Sequence, residues 1–138
     1  MKKKKKPKHS FDVFKENWSS CVSIFVNYEP EEFIEYIKPQ VTKDPEELWP
    51  VIHKNNEGLA FTNINKEGKT INCIYMRKFD WLLKDLAVLG HEIVHYTEFM
   101  LKDKGTGTFD GETFAYAFEH TYYKALQELG KKYGNRSK

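Results

Sequence analysis

The sequence predicts a small α+β domain in which three strands form one sheet covered by helices. The segment CVSIFVNY, residues 21–28, is rich in β-branched and aromatic side chains, which is typical of a buried strand. Residues 59–77 hold two further strand-like runs around NKEGK, where Gly68 can supply the turn of a hairpin. Apolar residues then recur at helical spacing in two long segments. A chain of 138 residues with this order of elements is expected to build one domain.

A short helix is expected directly after the first strand. Pro30 stands at a first helical position, acidic residues follow it in the first turn, and Pro39 ends the segment. Residues 44–52, DPEELWPVI, predict another short helical stretch that its second proline breaks. Helical segments are therefore expected to separate the first strand from the hairpin.

The longest predicted helix follows the hairpin. Asp80 is its expected N-cap, and from Trp81 apolar residues recur at helical spacing up to Gly105, which predicts about 20–24 helical residues. After the turn GTGTFDG, Asp110 is expected to cap a second helix that ends at Gly130. The predicted fold is thus a small three-stranded sheet with a hairpin edge, packed by two consecutive helices.

Charge is concentrated at the two ends of the chain. Residues 2–8 hold six lysines and residues 131–138 hold four basic side chains, whereas residues 10–130 hold 12 basic and 20 acidic ones, a formal charge of −8. We therefore predict a basic tail over 1–9, a folded domain over 10–130 and a second basic tail over 131–138. The lysine arm, Lys2 to Lys8, could bind nucleic acid by counterion release, but a solvated tail is favoured because the body is acidic.

The sequence predicts a soluble protein of the cytoplasm. No uninterrupted apolar run approaches the ~18–20 residues needed to cross a bilayer, and no hydrophobic segment follows the N-terminal lysines. Cys21 and Cys73 stand at no metal-ligand spacing, and both are expected to be free thiols in a reducing compartment, with a disulfide as the less favoured alternative.

His91, Glu92 and His95 form the pattern H-E-x-x-H within the segment LAVLGHEIVHYTEF. Histidines four residues apart on a helix share one face, with about 5–6 Å between their Cβ atoms, so both imidazoles can reach one cation. Glu92 is rotated from the first histidine by about a hundred degrees, and can take a proton from water on that cation without binding the ion itself. This geometry predicts one zinc ion per chain.

A structural alternative is that both histidines are ordinary polar positions on a helix surface. Shuffling this composition gives H-E-x-x-H in about one chain in a hundred, so the motif alone is only suggestive. The context favours a metal, because the motif lies inside an amphipathic helix that follows a hairpin. Gly90, just before the motif, also leaves room for another backbone or a substrate.

A catalytic zinc ion usually has three protein ligands and one open position. The candidates for a third ligand lie downstream, and they are Glu98, Asp103, Asp110, Glu112, Glu119 and His120. Glu112 is favoured because it stands in the first turn of the next helix. It also begins a stripe of polar residues at helical spacing, formed by Glu112, Tyr116, Glu119 and Tyr123.

Two residues of this stripe have alternative interpretations. Glu119 can fix the tautomer of a ligating histidine, or it can be a solvated surface acid. Tyr116 can polarise a substrate carbonyl, or it can pack with its hydroxyl in water. His120 lies off the stripe and is first a surface histidine and second an alternative ligand. Burial of acids on this face would be costly without a metal or a hydrogen-bond donor.

The pairing of LGHEIVHYTEFML with DGETFAYAFEHTY resembles the arrangement of gluzincin-type zinc metallopeptidases. It is similar in particular to small phage and prophage proteins with H-E-x-x-H and, more distantly, to ImmA/IrrE-type metallopeptidases. The resemblance covers about residues 86–124 and departs from many gluzincins at Tyr116, where an aspartate would follow the glutamate ligand by four residues.

The resemblance implies a minimal zincin-like peptidase in which His91, His95 and Glu112 bind zinc and Glu92 is the general base. It also implies that the last strand before the active-site helix, residues 70–76, is an edge that pairs with an extended peptide or protein substrate. One alternative is a non-catalytic zinc-containing regulatory protein, phage-encoded and acting in the host cytoplasm. Another is a nucleic-acid-associated protein that uses the lysine arm. The sequence indicates no oligomeric state.

Overall fold

The computed structural model describes residues 7–15, 21–41, 58–103 and 111–134. Within these ranges the chain forms four strands and three helices. They are β1 (His9–Val13), β2 (Val22–Val26), α1 (Pro30–Ile37), β3 (Gly58–Ile64), β4 (Thr70–Met76), α2 (Leu83–Asp103) and α3 (Gly111–Tyr133). The predicted α+β class is confirmed. The predicted helical stretch over residues 44–52 and the turn with Asp110 lie outside the described residues.

The sheet has four strands in the order β1-β2-β4-β3, so the prediction of three strands is wrong. β1 and β2 are antiparallel, β2 and β4 are parallel, and β4 and β3 are antiparallel. The strand missed by sequence reasoning is β1, HSFDV, in which Phe11 and Val13 alternate with polar residues. It follows the lysine run directly and has only five residues, so its pairing with β2 is needed to form it.

β4 lies inside the sheet rather than at its edge, which corrects the prediction for residues 70–76. It pairs with β2 on one side and β3 on the other, and five of its residues in succession, Asn72 to Met76, are buried. A continuous buried run of this kind is typical of a central strand. Among the described strands, the one at the edge of the hairpin is therefore β3, the first of its two strands.

Helices cover both faces of the sheet. On one face, α2 and α3 pack against the sheet through a core formed by Val22, Ile24, Val26, Ile74, Met76, Leu89, Ile93, Tyr96, Ala125 and Leu129. On the other face, α1 packs against a smaller core formed by Phe25, Phe33, Ile34, Ile37, Phe61, Cys73 and Tyr75. The first of these cores holds α2 against β3 and β4 of the hairpin.

α2 begins at Leu83, later than predicted, and Asp80 is not its N-cap. The carboxylate of Asp85 accepts hydrogen bonds from the backbone N–H of Asp80 at 2.7 Å and of Leu82 at 3.3 Å. Trp81 has a φ of 60°, in the left-handed region, so the chain turns sharply here before the helix starts. Asp85 therefore accepts the Leu82 N–H, which an N-cap at Asp80 would have been expected to accept.

The other predicted helix and turn boundaries are mostly confirmed. α1 starts at Pro30, and Gly68 supplies a φ of 82° in the hairpin turn. α3 continues past Gly130, however, and ends at Tyr133. The residue that closes it is Gly134, with a φ of 77° and an N–H that donates to the Gly130 carbonyl at 2.9 Å.

Cys21 and Cys73 carry thiols rather than a disulfide, as predicted. Cys73 is buried beneath α1, and this burial raises the pKa of its thiol to about 12, so it serves as a small apolar side chain. In the described part of the chain, none of the helices combines the length and the apolar character that crossing a bilayer requires.

Candidate metal centre

α2 brings the three residues of the H-E-x-x-H motif together. The Nε2 atoms of His91 and His95 lie 3.2 Å apart, and the two ring centroids are 4.8 Å apart at an interplanar angle of 77°. Among the described residues, His91, Glu92 and His95 form the one group of three whose potential ligand atoms all lie within 4.8 Å of one another. Both imidazoles are exposed, and the carboxyl group between them in sequence is buried.

The distance between the two imidazoles fits a shared metal ion. Zinc–nitrogen bonds of about 2.0–2.1 Å at a tetrahedral angle place two ligating nitrogens about 3.3 Å apart. The observed 3.2 Å between the Nε2 atoms is close to that value. The same distance also permits an N–H···N hydrogen bond if one ring carries its proton at Nε2. Imidazole nitrogen is a donor that zinc accepts, and these two rings could supply two of its ligands.

Glu92 points toward the edge strand β3 and is only 7% exposed. The Ala60 backbone N–H donates a hydrogen bond to its carboxylate. Gly58 lies under the same side chain, where a Cβ atom would come 2.7 Å from Val88 Cγ1 and 3.0 Å from Glu92 Cγ. Only glycine permits β3 to approach α2 this closely, so the strand holds the carboxyl group in place.

The environment of Glu92 favours a carboxyl group that can exchange a proton. Burial raises its pKa above the usual range for glutamate. His91, His95 and the Ala60 N–H act in the opposite direction, because each favours the charged carboxylate. A carboxyl group whose pKa is raised toward neutrality is better suited to general acid–base chemistry than a solvated one.

α3 packs against a different flank of α2 from the one that carries the histidines. The Tyr122 hydroxyl donates to the Leu86 carbonyl at 2.7 Å, and the Tyr122 ring lies over Gly90. With 3.6 residues per turn, His91 and His95 lie about 100–180° around the helix axis from these contacts. Residues of α3 therefore do not face the two imidazoles.

The polar stripe of α3 points to solvent. Glu112, Tyr116, Glu119 and Tyr123 are all exposed, whereas the buried residues of this helix are Thr121, Ala125 and Leu129 on another face. None of the stripe residues belongs to the group formed by the motif. The structure thus gives no support to Glu112 as the third zinc ligand. It equally gives none to Glu119 as the residue that fixes the tautomer of a ligating histidine, or to Tyr116 as the residue that polarises a substrate carbonyl. The expected cost of burying these acids does not arise.

The other candidate ligands are also separate from the motif. His120 is exposed, and its ring stacks on Phe14 with centroids 5.2 Å apart. Glu98 is exposed on α2 and is not part of the described group. Asp110 and the side chain of Asp103 lie outside the described residues. Sequence reasoning predicted β3 as a strand of the hairpin but missed that its Gly58 and Ala60 contact Glu92, because no spacing in the sequence links them to the motif.

Comparison with known proteins gives no relative for this chain. No family model, no curated protein and no solved structure matches it. The resemblance to gluzincins and to phage H-E-x-x-H proteins therefore stays a prediction. The case for a metal centre rests on the geometry of His91, Glu92 and His95.

Proposed function

We propose that the chain is a zinc-dependent hydrolase and that its substrate is a peptide bond. One observation carries the proposal: two exposed imidazole nitrogens converge to 3.2 Å beside a buried carboxyl group. This combination supports metal binding and proton transfer at the same place. A minimal zincin-like fold and a cytoplasmic location belong to the same proposal, the second resting on two cysteines that remain thiols.

Each residue of the motif has a separate role. His91 and His95 would hold one zinc ion per chain. Bound zinc supplies a water whose pKa is lowered to near neutrality. With zinc bound, Glu92 would accept the proton of this water and pass it to the leaving amine. The Ala60 N–H keeps the carboxylate oriented during both transfers.

The edge of β3 offers a place for an extended substrate. β3 pairs with β4 on one side, and in the described chain its other side is the end of the sheet. Because the Ala60 N–H reaches Glu92, the backbone N–H and C=O groups of Ala60 point away from β4. In an antiparallel pair these directions alternate, so the backbone groups of Gly58 and Thr62 also point away from β4. A substrate that pairs here as an added strand lies next to the Glu92 carboxylate.

Replacing Glu112 with alanine tests whether this residue is the third zinc ligand. Because its side chain lies on the exposed face of α3, we expect Glu112→Ala to leave the zinc dissociation constant within about two-fold of wild type. Isothermal titration calorimetry with zinc chloride measures this, with Glu119→Ala as a matched control. A loss of affinity beyond about ten-fold in Glu112→Ala alone would restore the ligand role that the sequence predicts.

Hydrolysis itself is tested with an unfolded protein substrate. The zinc-loaded chain is expected to release fluorescent peptides from fluorescein-labelled casein, and chelation of the metal is expected to stop the release. Readdition of zinc should restore it, because chelation removes the ion but leaves both imidazoles in place to bind it again. Zinc binding without any cleavage would favour the non-catalytic regulatory protein, and cleavage that survives chelation would contradict the proposed mechanism.

A further inference from the structure

A cavity of about 550 Å³ lies on the α1 side of the sheet, next to the end of that helix. Residues of β1 and β2 form its floor, the start of β4 and the hairpin turn form its far side, and the end of α1 forms the near wall. The H-E-x-x-H motif lies across the sheet from it, because α2 packs on the opposite face. None of the residues that line the cavity takes part in the proposed zinc site.

The floor of the cavity carries a carboxylate that is held in place. Asp12 of β1 lies opposite Ser23 of β2 in the register of the two strands. The Ser23 hydroxyl donates to Asp12 Oδ1 at 2.6 Å. Ser10, two residues earlier in β1, lies on the same face of the sheet and also lines the cavity. The floor therefore presents polar groups, whereas the cores beneath α1 and α2 are apolar.

The wall next to α1 is largely aromatic. The rings of Phe25 and Tyr36 meet edge to face, with centroids 5.5 Å apart and an interplanar angle of 65°. Pro39 and Gln40 extend this wall past the end of α1, and the Gln40 side-chain amide donates to the Tyr36 carbonyl at 3.0 Å. Tyr36 is 49% exposed, so an apolar group inside the cavity can cover it. The wall offers a ligand an apolar contact beside the carboxylate.

Two lysines line the end of the cavity at which β1 ends and the hairpin turns. They are Lys15, two residues past β1, and Lys66 in the turn. Asn65 Oδ1 accepts the backbone N–H of Glu67 at 3.0 Å and of Lys69 at 2.9 Å, so the turn that carries Lys66 has a defined shape. From β1 to this turn there are two to three strand spacings of about 4.8 Å, or about 10–14 Å. The cavity thus combines a carboxylate on its floor with positive charge at one end.

We propose that this cavity binds a short peptide of two or three residues with free termini. The ammonium group of the peptide pairs with Asp12, and its carboxylate pairs with Lys66 and Lys15. An apolar side chain between the two termini packs on Phe25 and Tyr36. An extended peptide of three residues is about 10 Å long, which matches the span from β1 to the turn.

The size and charge of the cavity favour this ligand over other small molecules. Its volume lies within the range of about 300–1,000 Å³ that is typical of small-ligand sites. A single amino acid is too short to reach from β1 to the turn. A phosphate-bearing ligand fits less well, because the Asp12 carboxylate on the floor repels it. The proposal depends neither on zinc nor on hydrolysis.

Isothermal titration calorimetry of the full chain with the tripeptide Gly-Leu-Gly tests the proposal. We expect a dissociation constant below about 1 mM. The N-acetylated and the C-amidated forms of the tripeptide should each bind about ten-fold more weakly or worse, because each form lacks one charged contact. Chelation of metal should leave the affinity unchanged, since the motif is on the opposite face of the sheet.

Variants of the chain locate the bound peptide. Asp12→Asn keeps the size of the side chain and should weaken binding of Gly-Leu-Gly by about ten-fold. Lys15→Gln combined with Lys66→Gln should weaken it by a similar factor. Glu35→Gln and Lys78→Gln are matched controls that remove one exposed charge of each sign outside the cavity, and both should bind the tripeptide as wild type does.

Four results would overturn the proposal. The first is no binding of Gly-Leu-Gly up to about 10 mM. The second is equal affinity for the free and the capped tripeptides, which tests the wild-type chain and so does not depend on the folding of any variant. The third is an unchanged affinity in Asp12→Asn or in the double lysine variant. The fourth is loss of binding on chelation, which would place the peptide at the motif of α2.

Discussion

Replacing Glu92 with glutamine is expected to lower the rate of peptide hydrolysis by about 10²–10⁴-fold while zinc stays bound. Glutamine keeps the size of the side chain and can still accept the Ala60 N–H through its amide oxygen. It cannot accept the proton of the attacking water. The measurement is kcat/KM on fluorescein-labelled casein, together with the zinc dissociation constant of the same preparation.

A matched control is available on the other side of the sheet. Glu35 is exposed on α1, so Glu35→Gln removes the same charge without reaching the motif and should leave hydrolysis and zinc affinity unchanged. Full activity in Glu92→Gln would contradict its role as general base. If Glu92→Gln instead loses the metal, the carboxylate is a ligand of the ion and not the proton acceptor.

Alanine in place of either histidine is expected to weaken zinc binding by at least about 100-fold. Loss of a group that only orients a ligand already costs about 10–100-fold in affinity, and loss of a ligand itself costs more. Since the site has two imidazoles, His91→Ala and His95→Ala should behave alike. Titration calorimetry measures the affinity, and the metal-free proteins should unfold at the wild-type temperature because both side chains are exposed.

The melting temperature is an independent test of zinc binding by the two histidines. Zinc at about 100 times its dissociation constant stabilises the folded chain by about 2.7 kcal/mol, which raises the melting temperature by several degrees. Neither histidine variant should show this rise. His120→Ala, which removes an exposed imidazole stacked on Phe14, should keep it. An equal rise in His91→Ala and wild type would place the zinc elsewhere on the chain.

The motif was predictable because its geometry is local. Once residues 83–103 are helical, a spacing of four residues brings His91 and His95 to the same side, whatever the rest of the fold does. The hairpin was predictable for the same reason, since Gly68 and the flanking apolar runs determine it over a short distance. These elements need no long-range contact to be inferred.

The orientation of the polar stripe on α3 was not predictable in this way. Periodicity indicates that Glu112, Tyr116, Glu119 and Tyr123 share a face, but it does not say where the face points. The buried face of the same helix includes Thr121 and Ala125, which are small and only weakly apolar, so hydrophobicity did not identify it. The long-range contact of Tyr122 with Leu86 decides the orientation.

The sheet order depended on contacts of the same long-range kind. β2 and β4 pair in parallel although α1 and β3 lie between them in sequence, and β1 joins only because β2 offers it a free side. The proximity of Ala60 to Glu92 follows from this order, because it leaves β3 at the edge below α2. The sequence of a single strand does not indicate which strand it pairs with.

The most direct test of the metal centre is anomalous X-ray scattering at the zinc edge from crystals of the zinc-loaded protein. We expect one strong peak per chain, about 2.0–2.1 Å from the Nε2 atoms of both His91 and His95. The Glu92 carboxylate should lie beside the peak without binding it. A peak that contacts only one of the two imidazoles, or no peak at α2 while the rings remain hydrogen-bonded to each other, would contradict the account.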